Sequence, residues 1–157
     1  MATVPYEGAT GGASAREEIT KILRRFGCES VGFMDNYETH EVILAFTHRQ
    51  RPIQLRASAK GWAALYLKEH PYNWARMKRT QKEYEAAALT QGQKAISSIL
   101  RDWVKGLVTA VECGILSFEA VFMPYILTAD GSPLYQRPDL LERIMDRPAL
   151  TAPEQSP

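Results

Sequence analysis

Residues 41–56 read EVILAFTHRQRPIQLR, and this pattern predicts two antiparallel β-strands. Residues 41–47 are rich in β-branched and aromatic side chains, which favour extended structure. Residues 51–56 alternate apolar with polar side chains, as a half-buried strand does. Pro52 is typical of the start of an edge strand, where its missing N–H is not needed. Residues 48–50 are few enough to join the two strands in a tight, basic hairpin.

The residues that precede this hairpin predict a third strand and one helix. Residues 30–34 form another strand-like run, which an Asp-Asn turn signal follows. Ser14 and Glu17 have the spacing of a capping box, which satisfies free backbone N–H groups at a helix start. Gly27 is a natural helix end because it adopts a left-handed conformation without steric cost. We therefore expect a helix from Ser14 to Gly27.

A second capping box, Thr80 with Glu83, begins the longest helical pattern in the chain. Apolar residues follow it at the i, i+3, i+4, i+7 spacing of an amphipathic helix. The pattern predicts a helix over residues 80–113, which Gly92 either kinks or divides.

Shorter patterns fill the rest of the chain. Residues 57–67 fit a short helix and extended chain equally well, and residues 69–79, which contain a His-Pro pair, are expected to be an exposed basic loop. Ser117 is placed to cap a further short helix, and an Asp-Gly pair at 130–131 marks a hairpin turn. Pro138 has a favourable first position in a last helix.

These elements predict a single α+β domain over residues 14–147. Its parts are an N-terminal helix, a three-stranded antiparallel sheet, a long helix and a small helical or hairpin C-terminal cap. Residues 1–13, rich in Gly, Ala and Thr, are expected to be a flexible arm, and residues 148–157 a disordered tail. A chain of 157 residues can bury one sizeable core but not two.

The composition argues against a membrane protein and favours the cytoplasm. No apolar run approaches the ~18 residues that a transmembrane helix needs. The first residues lack the basic and apolar regions of a secretion signal. The two cysteines, Cys28 and Cys113, form no disulfide framework, which favours a reducing compartment.

The charge of the chain is unevenly distributed, although its formal net value is only +1. Between residues 47 and 82 nine basic residues stand against one acidic residue, Glu69, for a net charge of +8. The remainder of the chain carries −7. Such a dipolar protein attracts polyanions or an acidic partner surface.

Several segments resemble a family of short, uncharacterised phage and prophage proteins. The likeness covers residues 19–135 and is carried by residues 22–27 (ILRRFG), 32–33, the meander through Arg56, 107–122 (LVTAVECGILSFEAVF) and 125–131 (YILTADG). The chain departs from the family pattern at Pro124 and in an aromatic insertion around residues 62–74. The resemblance implies a phage protein in the cytoplasm of the host cell. It implies no activity and no catalytic residues.

No sequence pattern predicts catalysis. Asp35, Glu38, His40 and Glu41 are close in sequence, but no Asp/Glu-x-Lys follows on the next strand, so a solvated turn is favoured over a metal site. The histidines and cysteines lack the spacing of metal ligands, and there is no P-loop, dinucleotide fingerprint or nucleophile elbow. We expect no enzymatic activity, no metal and no cofactor.

The basic region predicts a nucleic-acid interface instead. Lys and Arg neutralise phosphates and release counterions, and an exposed aromatic ring stacks on an unpaired base. Arg49, Arg51 and Arg56 are expected at the tip and on one face of the meander, continuous with the basic loop. Trp62 and Tyr66 fit the core better than stacking. The predicted nucleic-acid-binding residues are Arg49, Arg51, Arg56, Lys60, Tyr72, Trp74, Arg76, Lys78, Arg79 and Lys82.

Three functional hypotheses follow. The favoured one is a non-catalytic DNA-binding protein of a phage, single-stranded or sequence-tolerant, acting in replication, recombination or genome protection. The alternative is an interaction protein that binds and inhibits a host factor. The third is double-stranded RNA binding, from the order helix, three strands, helix. The apolar stripe over residues 96–111 is also compatible with a homodimer.

Overall fold

The computed structural model describes residues 3–145 and confirms the predicted α+β fold class. The helices are α1 (Gly12–Phe26), α2 (Lys60–Glu69), α3 (Gln81–Glu112), α4 (Phe118–Phe122) and α5 (Pro138–Met145), and the strands are β1 (Ser30–Asn36), β2 (Glu41–His48) and β3 (Arg51–Ser58). The predicted tail, residues 148–157, lies outside the described residues. No helix within residues 3–145 combines the length and apolar character that crossing a membrane requires.

The three strands form one antiparallel sheet in the order β1-β2-β3, as predicted. A two-residue turn joins β2 to β3, because His48 pairs with Arg51 across it. Arg49 and Gln50 have φ angles of 50° and 65°. Positive φ at both positions gives the turn a twist that matches the flanking strands. The predicted basic connection is therefore a tight hairpin, and it is called the hairpin tip below.

The main core lies between the sheet and the two longer helices, α1 and α3. The sheet contributes alternate residues such as Phe46 and Ile53, which are 2% and 1% exposed. The apolar stripe of α3 faces them, and its Val104 and Val108 are fully buried. Of the stripe over residues 96–111, Ile96 and Leu100 are also buried, whereas Ile99 is 37% exposed, and a homodimer through this face stays a prediction.

The start of α1 differs from the prediction, whereas its end does not. The helix begins at Gly12 after Gly11, and no side chain caps it, so the predicted capping box at Ser14 is wrong. A Cβ on Gly12 would lie 3.3 Å from Ser97 Oγ, so the helix start packs closely against α3. Gly27 ends the helix with φ of 100°, as predicted.

α3 is one continuous helix of 32 residues, and it begins with the predicted capping box of Thr80 and Glu83. Gly92 does not divide it. A Cβ on Gly92 would lie 3.1 Å from the Ala59 carbonyl oxygen and 3.3 Å from Trp62 Cε3. The glycine therefore lets the start of α2 approach α3 closely, and residues 60–69 are helical rather than extended.

The N-terminal residues also differ from the prediction, because residues 4–9 form a strap packed on α2 and α3. Val4 is 2% exposed and lies in a small core cluster with Trp62. Trp62 Nε1 donates to the Pro5 carbonyl at 2.8 Å. Gln91 Nε2 donates to the carbonyls of Glu7 and Ala9, at 3.0 and 2.8 Å. These bonds fix residues 4–9 in place, although the Gly-rich and Ala-rich composition of residues 1–13 predicted a flexible arm.

The C-terminal part follows the local sequence signals. Ser117 caps α4, with its hydroxyl accepting from the Ala120 N–H at 3.1 Å. Gly131 takes a positive φ of 83° in the predicted Asp-Gly turn, and Leu127 pairs with Pro133 across it. Residues 134–136 form a 3-10 turn.

An ion pair between Arg16 and Asp35 fastens α1 to β1. Arg16 Nη1 donates to Asp35 Oδ2 at 3.0 Å, Nη2 bonds the other oxygen, and the side chains are 26% and 28% exposed. The hydrogen bonds from Arg16 lower the pKa of the Asp35 carboxyl. We expect Asp35→Asn to lower the free energy of unfolding at pH 7 by about 1 kcal/mol, measured by urea denaturation.

The stabilisation by the Arg16–Asp35 pair should depend on pH in a defined direction. Because the folded-state pKa of Asp35 lies below the ordinary value, the stabilisation is present above about pH 4 and is lost as pH falls through the folded-state pKa. Wild type and Asp35→Asn should therefore converge at low pH. Glu17→Gln is the control, since the Glu17–Lys21 pair is 3.5 Å long and fully on the surface. Equal effects of the two substitutions would contradict the prediction.

Candidate nucleic-acid interface

The basic residues between positions 47 and 82 are exposed and mostly without internal partners. All nine of these Lys and Arg residues are exposed. Within residues 3–145, Arg51 alone among them forms an ion pair, with Glu119 Oε1 at 3.0 Å. The remaining eight are Arg49, Arg56, Lys60, Lys68, Arg76, Lys78, Arg79 and Lys82. Their charge is available to an external anion.

These residues do not form one patch, because the hairpin tip and the basic loop lie at opposite ends of α3. The hairpin tip contacts α4, since the His48 and Phe118 rings are 4.9 Å apart and Arg51 pairs with Glu119. α4 follows the C-terminal end of α3, whereas the loop over residues 70–79 directly precedes its N-terminal end. A helix of this length separates its ends by about 46 Å at 1.5 Å per residue.

Arg51 and Arg56 of β3 do not lie on the same face of the sheet, so the prediction that they share a face is wrong. Arg51 has the same parity as Ile53 and Leu55 and lies at the edge of the core face, where its guanidinium covers the Phe118 ring. Arg56 has the opposite parity and lies on the other face of the sheet, paired with Ile43 of β2. The side-chain period of two along a strand separates them. The loop and the first turn of α3 therefore form the candidate interface.

The loop over residues 70–79 has a defined shape because side chains and backbone hold it at several points. Tyr72 Oη donates to the Arg79 carbonyl at 2.6 Å, which closes the loop. Asn73 Oδ1 accepts from the Ala75 N–H at 3.0 Å, and the Asn73 carbonyl accepts from Met77. Tyr84 of α3 donates to the His70 carbonyl at 2.6 Å. Such a loop loses less entropy on binding than a free one.

The two aromatic residues of this loop have different roles. Trp74 is 82% exposed, so the faces of its indole are open to a ligand. Tyr72 is half-buried, its ring lies 5.8 Å from that of Tyr84, and its hydroxyl is already bonded. The structure therefore supports Trp74 as a stacking residue and assigns Tyr72 to the support of the loop.

Trp62 and Tyr66 belong to the packed interior of this end, as the sequence favoured. Their rings stack at 5.4 Å, and the Tyr66 ring continues to His70 at 4.6 Å. Trp62 is buried against Val4 and the strap. This aromatic column supports the base of the basic loop.

Two groups of titratable side chains, the acidic cluster over residues 35–41 and the Cys28–His48 pair, have partners and pKa shifts that do not favour catalysis. Asp35, in the acidic cluster over residues 35–41, is bonded to Arg16. No group of three His, Cys, Asp or Glu side chains in the described part of the chain is placed to hold a metal ion. Cys28 Sγ lies 3.8 Å from His48 Nδ1, but burial raises the pKa of the thiol to about 11 and lowers the pKa of the imidazole. An activated thiolate requires shifts of the opposite sign.

Sequence reasoning missed a groove beside the loop, between residues 7–9 of the strap, α2 and α3. We call it the strap groove. Its polar and aromatic lining is Glu7, Tyr66, Arg79, Tyr84, Gln91 and Lys94, with small residues between them. Lys94 was not a predicted site residue. The signal for it was its helical phase, since residues 84, 87, 91 and 94 fall on one stripe of α3.

Comparison with known proteins gives no relative from which to infer a function. No family model, no curated protein and no solved structure matches the chain. The geometry and charge of the chain itself therefore define the candidate interface.

Proposed function

We propose that this protein binds single-stranded DNA through the basic loop and the first turn of α3, without catalysing a reaction on it. One observation carries the proposal. Trp74, which is 82% exposed, lies on a loop that internal hydrogen bonds hold in shape. Arg76, Lys78 and Arg79 follow it in the same loop, and none of them has an ion-pair partner within residues 3–145. Lys82 extends the same charge into the first turn of α3.

Each part of this surface fits one part of a single strand. The cations neutralise phosphates and displace counterions, which gives affinity without sequence preference. Trp74 offers an open aromatic face, and a base can use it only when that base is not covered by its neighbours in a duplex. The interface therefore favours single strands and tolerates sequence.

The remaining predicted contacts are secondary in this proposal. Lys60 lies beside the first half of α3, because the adjacent Ala59 contacts Gly92. Arg49, Arg51 and Arg56 lie on other surfaces and would reach only a strand that continues along the molecule. The choice of DNA over RNA, and a role in phage replication, recombination or genome protection, follows from the resemblance to phage proteins. Phosphates and base faces are common to both nucleic acids.

Fluorescence polarisation with end-labelled oligonucleotides of about 20 nucleotides tests the proposal. We expect single-stranded DNA to bind more tightly than duplex DNA of the same length. Trp74→Ala should weaken single-strand binding about tenfold, because a stacked base contributes roughly 1–3 kcal/mol. Duplex binding should be unaffected. Tightest binding to duplex RNA would support the third hypothesis instead, and a Trp74→Ala variant with wild-type single-strand affinity would exclude the stacking role.

A second candidate function is supported by the opposite end of the molecule. Ile115, Leu116 and Met123 are 72%, 47% and 49% exposed near the end of α3. Ile115 and Leu116 are adjacent in sequence, and exposed apolar side chains that lie together are typical of a protein-binding surface. The host-factor hypothesis predicts that a nuclease-treated pull-down recovers one dominant partner with wild type and loses it with Ile115→Asp.

A further inference from the structure

We infer that the strap groove holds one nucleotide of the bound strand, with its phosphate on Lys94 and the neighbouring phosphate on Arg79. This inference rests on the proposed function, and it names a second contact site beside Trp74. Arg79 ends the basic loop and also lines the strap groove. Arg79 therefore connects the basic loop to the groove.

The shape of the strap groove fits a nucleotide. One stripe of α3 forms its floor, and the small side chains of Ala87 and Ala88 leave that floor open. The strap forms one wall, and the Tyr66 side chain of α2 lines another. The cavity volume is about 640 Å³, within the range of small-ligand sites.

The charge of the strap groove favours an anion. Lys94 is half-buried and has no ion-pair or hydrogen-bond partner in the described part of the chain. The charge of this ammonium is therefore available to a phosphate that enters the groove. The Glu7 carboxylate also lines the groove, but its Oε1 lies 3.2 Å from His70 Nε2 and faces the imidazole. Arg79 and Lys94 therefore outnumber the single carboxylate.

The groove also offers a polar group for a base. Gln91 Nε2 donates to two carbonyls of the strap, so both of its hydrogens are used. Its Oε1 remains an acceptor for a base N–H. One amide acceptor beside an aromatic ring discriminates weakly among bases, which agrees with sequence-tolerant binding.

Two substitutions separate the groove from the rest of the interface. Lys94→Ala removes the cation, and Ala87→Leu fills the floor at a half-buried helix position with another good helix former. Lys105→Ala is the matched control, because Lys105 is an exposed lysine of the same helix outside the strap groove. The probe is an end-labelled oligothymidylate of about 20 nucleotides, titrated at about 50 and 200 mM salt.

We expect Lys94→Ala to weaken binding about tenfold and to lower the salt slope by about 0.7, the value of one phosphate on a single strand. Ala87→Leu should weaken binding without changing that slope. Lys105→Ala should bind as wild type does. If wild type binds and Lys94→Ala matches Lys105→Ala, the groove inference is overturned while the proposed function stands. If wild type does not bind, both fail. Thermal unfolding of each variant shows whether it is folded. If Ala87→Leu does not fold, the result for Lys94→Ala alone tests the groove inference.

Discussion

Neutralising three cations of the basic loop should lower the affinity for single-stranded DNA by about a hundredfold or more. The substitutions are Arg76→Gln, Lys78→Gln and Arg79→Gln, introduced together. Each residue is exposed and without an internal ion pair in the described chain, so its charge is free to bind phosphate. Because each lost phosphate contact lowers the salt slope of single-strand binding by about 0.7, the triple variant should lose about 2 from that slope.

The fold should survive this change. The bond that closes the loop runs from Tyr72 Oη to the backbone carbonyl of Arg79, which glutamine at that position preserves. The control replaces Lys21, Arg24 and Lys105 by Gln, which removes the same charge from exposed positions elsewhere. Equal losses in the two triple variants would mean that net charge rather than the loop governs affinity. That result would contradict the assignment of the interface.

The second large effect is on stability, and it distinguishes two tryptophans. Trp62→Ala should lower the free energy of unfolding by about 3–5 kcal/mol, as expected for a large buried aromatic residue. Trp62 is 9% exposed, its Nε1 donates to the Pro5 carbonyl, and its ring packs where α2 comes close to Gly92 of α3. Its loss removes the support of the strap and of the aromatic column beneath the loop.

Trp74→Ala should leave stability within about 0.5 kcal/mol of wild type, because an exposed substitution removes few contacts. Urea denaturation of both variants measures the contrast. Trp62→Phe keeps most of the apolar volume but loses the bond to Pro5, so its effect should lie between the two. A large destabilisation by Trp74→Ala would place its indole in the core and remove it as a stacking residue.

Much of the fold was predictable because its signals are local. The capping box at Thr80, the caps at Gly27 and Ser117 and the turn at Gly131 each depend on a few neighbouring residues. The strands were recognisable from composition and alternation. The capping box at Ser14 was wrong because the close packing of Gly12 on Ser97 decides where α1 begins.

The candidate site was less predictable because it depends on distances between segments that are far apart in sequence. The +8 charge of residues 47–82 suggested one surface, but the length of α3 separates the hairpin tip from the loop. The prediction that the basic residues of the meander share one face is wrong for Arg51 and Arg56, because they differ in parity along β3. The roles of Tyr72 and Trp74 could not be separated by residue type, because one hydrogen bond to a backbone carbonyl distinguishes them.

The most direct test of the central claim is a salt titration of wild-type protein with single-stranded DNA. We expect measurable binding at about 50 mM salt, followed by a linear fall of log affinity with log salt concentration. With four loop and helix cations on phosphates, the slope should have a magnitude of about 3. Absence of binding at about 50 mM salt, or an affinity that stays flat as salt rises, would contradict the claim that this basic loop is a nucleic-acid interface.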